Sequence, residues 1–280
     1  MALSLKQTGI TIGGDSLSCI AGLNVLEDLD LALKVGSHLK DVTHSLGLPF
    51  IFKASFDKAN RSSIKSYRGP GLDAGLEILA KVKSELNVPV ATDFHEVAQV
   101  APVAGVADII QLPAFLCRQT DLVVEAAKVA QDSGAWLHVK KAQFLAPWDV
   151  NNIIIKSREV APDVQIVMCE RGTSFGYNNL VVDMLGIAEM QKLGVPVTMD
   201  ATHSVQLPGA DPRTSGASTG GRRDGVVTIA KAAVAAGADG VFLEFHPDPD
   251  KALCDGPCCL PLDAAANVLS TLKGVFEAVR

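Results

Sequence analysis

Pro49-Phe50-Ile51-Phe52-Lys53-Ala54-Ser55-Phe56-Asp57-Lys58-Ala59-Asn60-Arg61-Ser62-Ser63-Ile64-Lys65-Ser66-Tyr67-Arg68-Gly69 changes character once, and that change decides the fold. Residues 49–54 form a short apolar run without alternation, the pattern of a strand covered on both faces. Immediately afterwards Lys53, Lys58, Arg61, Lys65 and Arg68 crowd together against Asp57 alone, with Ser55, Asn60, Ser62, Ser63 and Ser66 between them. Such a loop at the end of a buried strand suits a small, multiply charged anion such as a sugar phosphate. Arginine offers phosphate a planar fork, lysine a point charge, and serine and asparagine short hydrogen bonds. A solvated surface loop is the alternative, but the cluster runs against a chain whose formal net charge is -6.

Outward from this stretch the same beat repeats. Apolar runs at 17–22, 88–93, 107–112, 135–140, 164–169, 195–200 and 239–244 join 49–54 as strands. Helices lie between them. Leu29, Ala32, Val35, Leu39, Val42 and Leu46 step by three and four before Gly47, as do Ala265, Val268, Leu269, Leu272, Phe276 and Val279 near the end. Asp121 to Ala130 gives another, stopped by Ser133-Gly134. Eight alternating units predict a (β/α)8 TIM barrel over residues 1–280, with residues 1–15 as a short N-terminal β-hairpin. A doubly wound open sheet is the competing fold. It calls for a Gly-rich turn after the first strand, and Gly22-Leu23-Asn24-Val25 is not one.

With 280 residues, 48% of them hydrophobic, the chain has ample material for a core. Its acidic balance argues against nucleic-acid binding, and no apolar run is long enough to span a bilayer. Met1 to Lys6 carries no signal-peptide pattern, and the six irregularly spaced cysteines read as reduced thiols. The expected location is cytoplasmic.

A barrel puts its chemistry at the C-terminal strand ends. Asn24 is expected just after the first strand, Lys53 to Arg68 after the second, and Asp93 and His95 at the third. Gln111, Phe115 and Arg118 follow the fourth, Lys140 and Lys141 the fifth, and Glu170 and Arg171 the sixth. Asp200, His203 and Gln206 follow the seventh, and Glu244, His246 and Asp255 the eighth. Lys140 could form a Schiff base with a keto substrate, but the crowd of cations favours an anionic anchor. His203 reads as a general acid or as a buried, satisfied histidine. Asp93, Glu244 and Asp255 read as catalytic carboxylates or as partners of the basic rim, with Asp255 preferred as a base for water. A zinc site from His246, Cys254, Cys258 and Cys259 is disfavoured by the adjacent cysteines. Gly220-Gly221-Arg222-Arg223 could grip a phosphate as the loop from Leu207 closes, or serve as a connector.

Five motifs carry a likeness: Lys53–Ser63, Gln111–Asp121, Cys169–Tyr177, Gly220–Arg223 and His246–Pro249. Together they resemble the 3-deoxy-D-manno-octulosonate 8-phosphate synthase family, from about the first strand to Leu262. The resemblance implies a (β/α)8 barrel, usually a cytoplasmic homotetramer. It also implies condensation of phosphoenolpyruvate with D-arabinose 5-phosphate and water, supplying a lipopolysaccharide sugar. By the same resemblance Lys53, Lys140 and Arg171 form the phosphoenolpyruvate clamp with Gln111 beside them, and Lys58 belongs to the active centre. Asn60, Arg61 and Ser62 match the arabinose-phosphate loop, and Phe115 and Arg118 match residues reaching a neighbouring subunit's site. His203, Glu244 and Asp255 match three ligands of the metal-dependent branch. Asn24 stands where that branch has its cysteine, so no cofactor is expected and a divalent metal is not required. Cys254–Pro257 leans the same way, whereas Phe144–Asp149 leans towards the metal-dependent branch. The competing activities are the related condensation with erythrose 4-phosphate and sugar-phosphate binding without catalysis.

Overall fold

A computed structural model describes residues 2–5, 9–209, 215 and 219–280. Eight parallel strands form the centre: β1 Ser18–Val25, β2 Phe50–Ser55, β3 Val90–Asp93, β4 Ile109–Leu112, β5 Trp136–Lys140, β6 Ile166–Glu170, β7 Val197–Asp200 and β8 Gly240–His246. Each pairs with the next, and β8 pairs back onto β1 with Gly240 opposite Ser18, closing the barrel. A helix follows each strand: α1 Leu29–Leu46, α2 Leu72–Leu86, α3 Val97–Ala104, α4 Thr120–Ser133, α5 Asn151–Val160, α6 Leu185–Gln191, α7 Val226–Ala235 and α8 Ala265–Val279. Local chemistry sets their ends. Asp28 Oδ1 caps α1 by accepting from the Leu31 N–H at 2.7 Å, and Gly47 stops it with φ of 67°.

The strands' period of two splits the core. Cys19, Ala21 and Leu23 of β1 join the large apolar layer under the helices, while Ile20 points into the barrel. There Ile20, Ile51, Ile109, Trp136 and Val167 meet Leu5 and Ile12. The last two belong to the expected hairpin, whose strands Leu3–Ser4 and Thr11–Ile12 pair antiparallel. Ser18 Oγ at the start of β1 donates to Thr11 O at 2.8 Å, so the hairpin plugs the N-terminal mouth. Lys6 to Thr8, also in this stretch, lie outside the described residues. Carboxylates at that end are structural. Asp108 takes the Val90 N–H at 3.0 Å and Lys83 at 2.9 Å, and Asp239 takes the Val197 N–H at 2.8 Å.

Two strand boundaries differ from expectation. β1 runs three residues beyond Gly22, so Asn24 lies inside the strand rather than after it. Gly22 is not a stop: a Cβ there would lie 2.1 Å from Lys53 O, so glycine permits β1 and β2 to approach. β8 continues past Glu244 to His246, because the upper barrel interior is polar and a buried acid does not end the strand.

Candidate active site

Towards the C-terminal ends, the inward positions turn from apolar to charged. One cavity of about 420 Å³ opens there. It is lined by Lys53 from β2, Asp93 from β3, Gln111 from β4, Lys140 from β5 and Arg171 just after β6, with His203, Gln206 and Asp255 from later loops. Lys58, Asn60, Arg61 and Ser62 enter it from the loop after β2, and Phe115 from the loop after β4. The structure therefore brings most of the expected residues to one rim.

The loop after β2 owes its shape to its neck. Lys58 N–H donates to Arg68 O at 2.6 Å, Gly71 N–H to Phe56 O at 3.1 Å, and Tyr67 hydroxyl to Leu26 O at 2.9 Å. Arg68 clasps Asp57 through two of its nitrogens. Arg68 is thus spent on the neck and Lys65 is exposed, so neither lines the cavity. Arg61 donates to the Cys254 thiol, which burial pushes up to about 12, so the sulfur is a neutral acceptor.

Beneath the loop sits a network of buried charge. Lys53 donates to Ser55 Oγ at 2.8 Å and lies 3.7 Å from Glu244 Oε1. Burial, reinforced by Lys58, lowers the Lys53 pKa to about 8. Burial opposes charge on Lys58 too, but Glu244, Asp93 and Asp255 outweigh it and raise that ammonium above its ordinary value. Burial alone would raise Asp93, yet Lys53 and His95 hold it well below the usual carboxylate range. Lys140 pairs with Asp200 and sits over the Phe242 ring, 3.6 Å from its centroid.

Asp200 also orients His203. Its Oδ1 accepts the His203 N–H and its Oδ2 faces His203 Nδ1, both at 2.8 Å. An ionised carboxylate only accepts, so Nδ1 carries the hydrogen and Nε2 turns to the cavity. Burial would raise Asp200, but His203, Lys140 and Arg171 hold it well below its ordinary value.

Asn24 stands opposite. Its Nδ2 donates to Glu244 Oε2 at 2.6 Å and Asp255 Oδ2 at 3.2 Å, and lies 3.4 Å from His203 Nε2. Asp255 reaches this group from a left-handed backbone, φ 48°, uncommon outside glycine. Gln206 links Asp255, at 3.2 Å, to Arg171, whose Nη2 donates to Gln206 Oε1 at 2.8 Å. His203, Glu244 and Asp255 do converge as three ligand types. The Asn24 amide nitrogen fills the space among them with donor hydrogens, and its lone pair, delocalised into the carbonyl, is not free to ligate a cation. As arranged, the set does not fit a divalent ion.

Other expected rim residues are placed elsewhere. Lys141 and Glu170 turn away from the cavity and face each other at 3.5 Å, because successive strand residues alternate sides. Arg118 is exposed and does not line the cavity of its own chain. Arg222 reaches Leu180 O at 3.3 Å, and Arg223 reaches Asp250 and Gly256 O, each at 2.8 Å. These arginines serve protein acceptors. Much of the loop between Leu207 and Gly221 lies outside the described residues. His246 is occupied by the Asp248 backbone at 2.7 Å, and no described cluster of three or more His, Cys, Asp or Glu could hold a metal. Ser66 of the donor-rich loop lines the cavity as well, and Gln143 and Cys254 line it without having been expected there. Gln143 lies three residues past Lys140, and that spacing is its only signal.

The family model described as "DAHP synthetase I family" matches residues 1–280. The chain belongs to that family. Within it, the chain is 55% identical to a Shewanella denitrificans protein over 279 residues, covering 99% of this chain and 94% of the relative. It is 55% identical to a Shewanella frigidimarina protein over 259 residues, covering 92% and 88%. Both carry the name 2-dehydro-3-deoxyphosphooctonate aldolase. A family that condenses phosphorylated substrates needs fixed positive charge where they meet, and the cavity concentrates it.

Proposed function

We propose that this protein condenses phosphoenolpyruvate with D-arabinose 5-phosphate and water, giving 3-deoxy-D-manno-octulosonate 8-phosphate and inorganic phosphate for lipopolysaccharide sugar synthesis. The observation that carries this reading is the convergence of Lys53, Lys58, Arg61, Lys140 and Arg171 on one cavity. Two anions repel, and only preorganised cations can hold them in contact.

Lys53, Lys140, Arg171 and Gln111 hold phosphoenolpyruvate; Asn60, Arg61 and Ser62 hold the sugar phosphate, with Lys58 between. Carbon 3 of the enol attacks the aldehyde, forming the new C–C bond, and the aldehyde oxygen takes a proton from Nε2 of His203 in its imidazolium form, whose Nδ1–H stays on Asp200. Water adds to carbon 2, giving its proton to a carboxylate of the Asp255 and Glu244 pair, with Asp93 supporting the adjacent lysines. The bond from carbon 2 to the phosphate oxygen then breaks as the new carbon 2 hydroxyl gives its proton to the departing phosphate, leaving the keto group and inorganic phosphate. Asn24 keeps the two acids apart by donating to both. No metal or other cofactor takes part in this scheme. The working form is a cytoplasmic homotetramer in which Phe115 and Arg118 approach a neighbour's site. Both side chains are exposed on the single chain.

The test is turnover after exhaustive chelation, offering arabinose 5-phosphate and erythrose 4-phosphate separately. Equal release of phosphate and an eight-carbon product from the first alone is expected. Turnover of erythrose 4-phosphate, activity restored only by a divalent ion, or binding without turnover would overturn the reading.

A further inference from the structure

His138 lies in the middle of β5, buried below the cavity floor, and no step above uses it. It stands in register with Gln111 on β4. Its Nδ1 is 3.2 Å from Gln111 Oε1, and its Nε2 is 2.9 Å from Thr198 Oγ1. Thr198 Oγ1 also lies 3.3 Å from Met168 O. A hydroxyl both donates and accepts, so Thr198 can serve Nε2 in either direction, and the Gln111 oxygen facing Nδ1 sets the tautomer. If Nε2 carried the ring hydrogen instead, a bare Nδ1 would face the lone pairs of Gln111 Oε1. The consistent chain runs from the Thr198 hydroxyl to Nε2, and from Nδ1–H to Gln111 Oε1. Gln111 Nε2 has no protein partner among the described residues, and Gln111 lines the cavity. Its two amide hydrogens are therefore the face offered to a ligand.

We infer that His138 is a positioning residue that, as the neutral Nδ1–H tautomer, locks the Gln111 amide with its donor end towards bound phosphoenolpyruvate. Turned over, the amide would present oxygen to an anion. The imidazole is suited to the task because it does not titrate near neutrality. Burial, followed by Lys140, lowers its pKa to about 3 against the pull of Asp200. Phe242 stacks on its ring at 6.4 Å between centroids, fixing its plane. The inference rests on the proposed phosphoenolpyruvate site, but its tautomer arm does not.

Three measurements decide it. Nitrogen-15 spectra of histidine-labelled protein should show His138 neutral with hydrogen on Nδ1; hydrogen on Nε2 would overturn the inference. His138→Asn keeps a donor near the Nδ1 position and should hold KM for phosphoenolpyruvate within about threefold. His138→Leu should raise that KM about tenfold, the loss expected for one charge-assisted hydrogen bond. In a Gln111→Leu background, His138→Leu should add nothing to KM. Equal impairment by Asn and Leu, or an undiminished effect of Leu in that background, would overturn it. Should the wild type fail to turn over, the function reading falls, and calorimetric binding of phosphoenolpyruvate to the same variants replaces KM.

Discussion

Arg171 is buried, and Gln206 occupies only one arm of its guanidinium; Nη1 has no acceptor among the described residues. A buried donor without a partner is costly, so an anion is the fitting complement. Arg171→Lys keeps the charge but loses the fork, and should lower kcat/KM for phosphoenolpyruvate by about tenfold to a hundredfold with the fold intact, read by steady-state kinetics. Lys53 makes a pH prediction with two opposite signs. Its pKa falls from 10.5 to about 8 in the folded chain. The charged form attracts the anion, so KM for phosphoenolpyruvate should rise as pH passes about 8, and Lys53→Arg should move that rise upward. Unfolded, the residue holds its proton until the ordinary value. Between these two values the unfolded chain binds more protons, so this residue's contribution to stability grows with pH. A flat KM profile from pH 7 to 9 would contradict the assignment.

Among elements, β5 and β6 separate what the sequence displays from what it conceals. Lys140 and Lys141 are neighbours of one type, yet one lines the cavity and the other ties loops together. Lys141 reaches Thr173 Oγ1 at 3.1 Å and Leu145 O at 3.3 Å besides Glu170. Removing it leaves the Glu170 carboxylate buried without its cation. Lys141→Met should therefore cost about 3–5 kcal/mol in denaturant unfolding. A loss below about 1 kcal/mol would mean that the pair is dispensable. The repeated apolar runs and the polar strand ends made the barrel legible, because a sheet buried on both faces leaves continuous hydrophobic stretches. Facing was not legible. Parity along a strand can be read only once its inward set is known, and that set mixes Ile20 with Asn24 and Trp136 with Lys140. His138 was hidden for the same reason, as a polar residue inside an apolar run. Arg222 and Arg223 looked like phosphate ligands because sequence shows charge without showing the carbonyls of Leu180 and Gly256 that meet it.

At the scale of the whole molecule, Phe115 stands exposed at the edge of the cavity, and Arg118, exposed three residues later, does not line the cavity of its own chain. If a neighbour's Arg118 completes each site, two different defects can be combined. Arg118→Ala and Lys53→Ala should each be nearly inactive alone. Mixed assemblies, formed by co-expression, should regain a measurable fraction of turnover, because some sites then hold both intact residues. No recovery, with mixed assemblies verified by mass, would place Arg118 outside catalysis.

The most direct measurement is a crystal structure with phosphoenolpyruvate and an unreactive arabinose 5-phosphate analogue. Phosphoenolpyruvate should contact Lys53, Lys140, Arg171 and the Gln111 amide, with the sugar phosphate on Asn60 to Ser62 and the Asn24 amide still among Glu244, Asp255 and His203. Phosphoenolpyruvate bound away from those cations, or a divalent ion seated beside Asn24, would contradict the account.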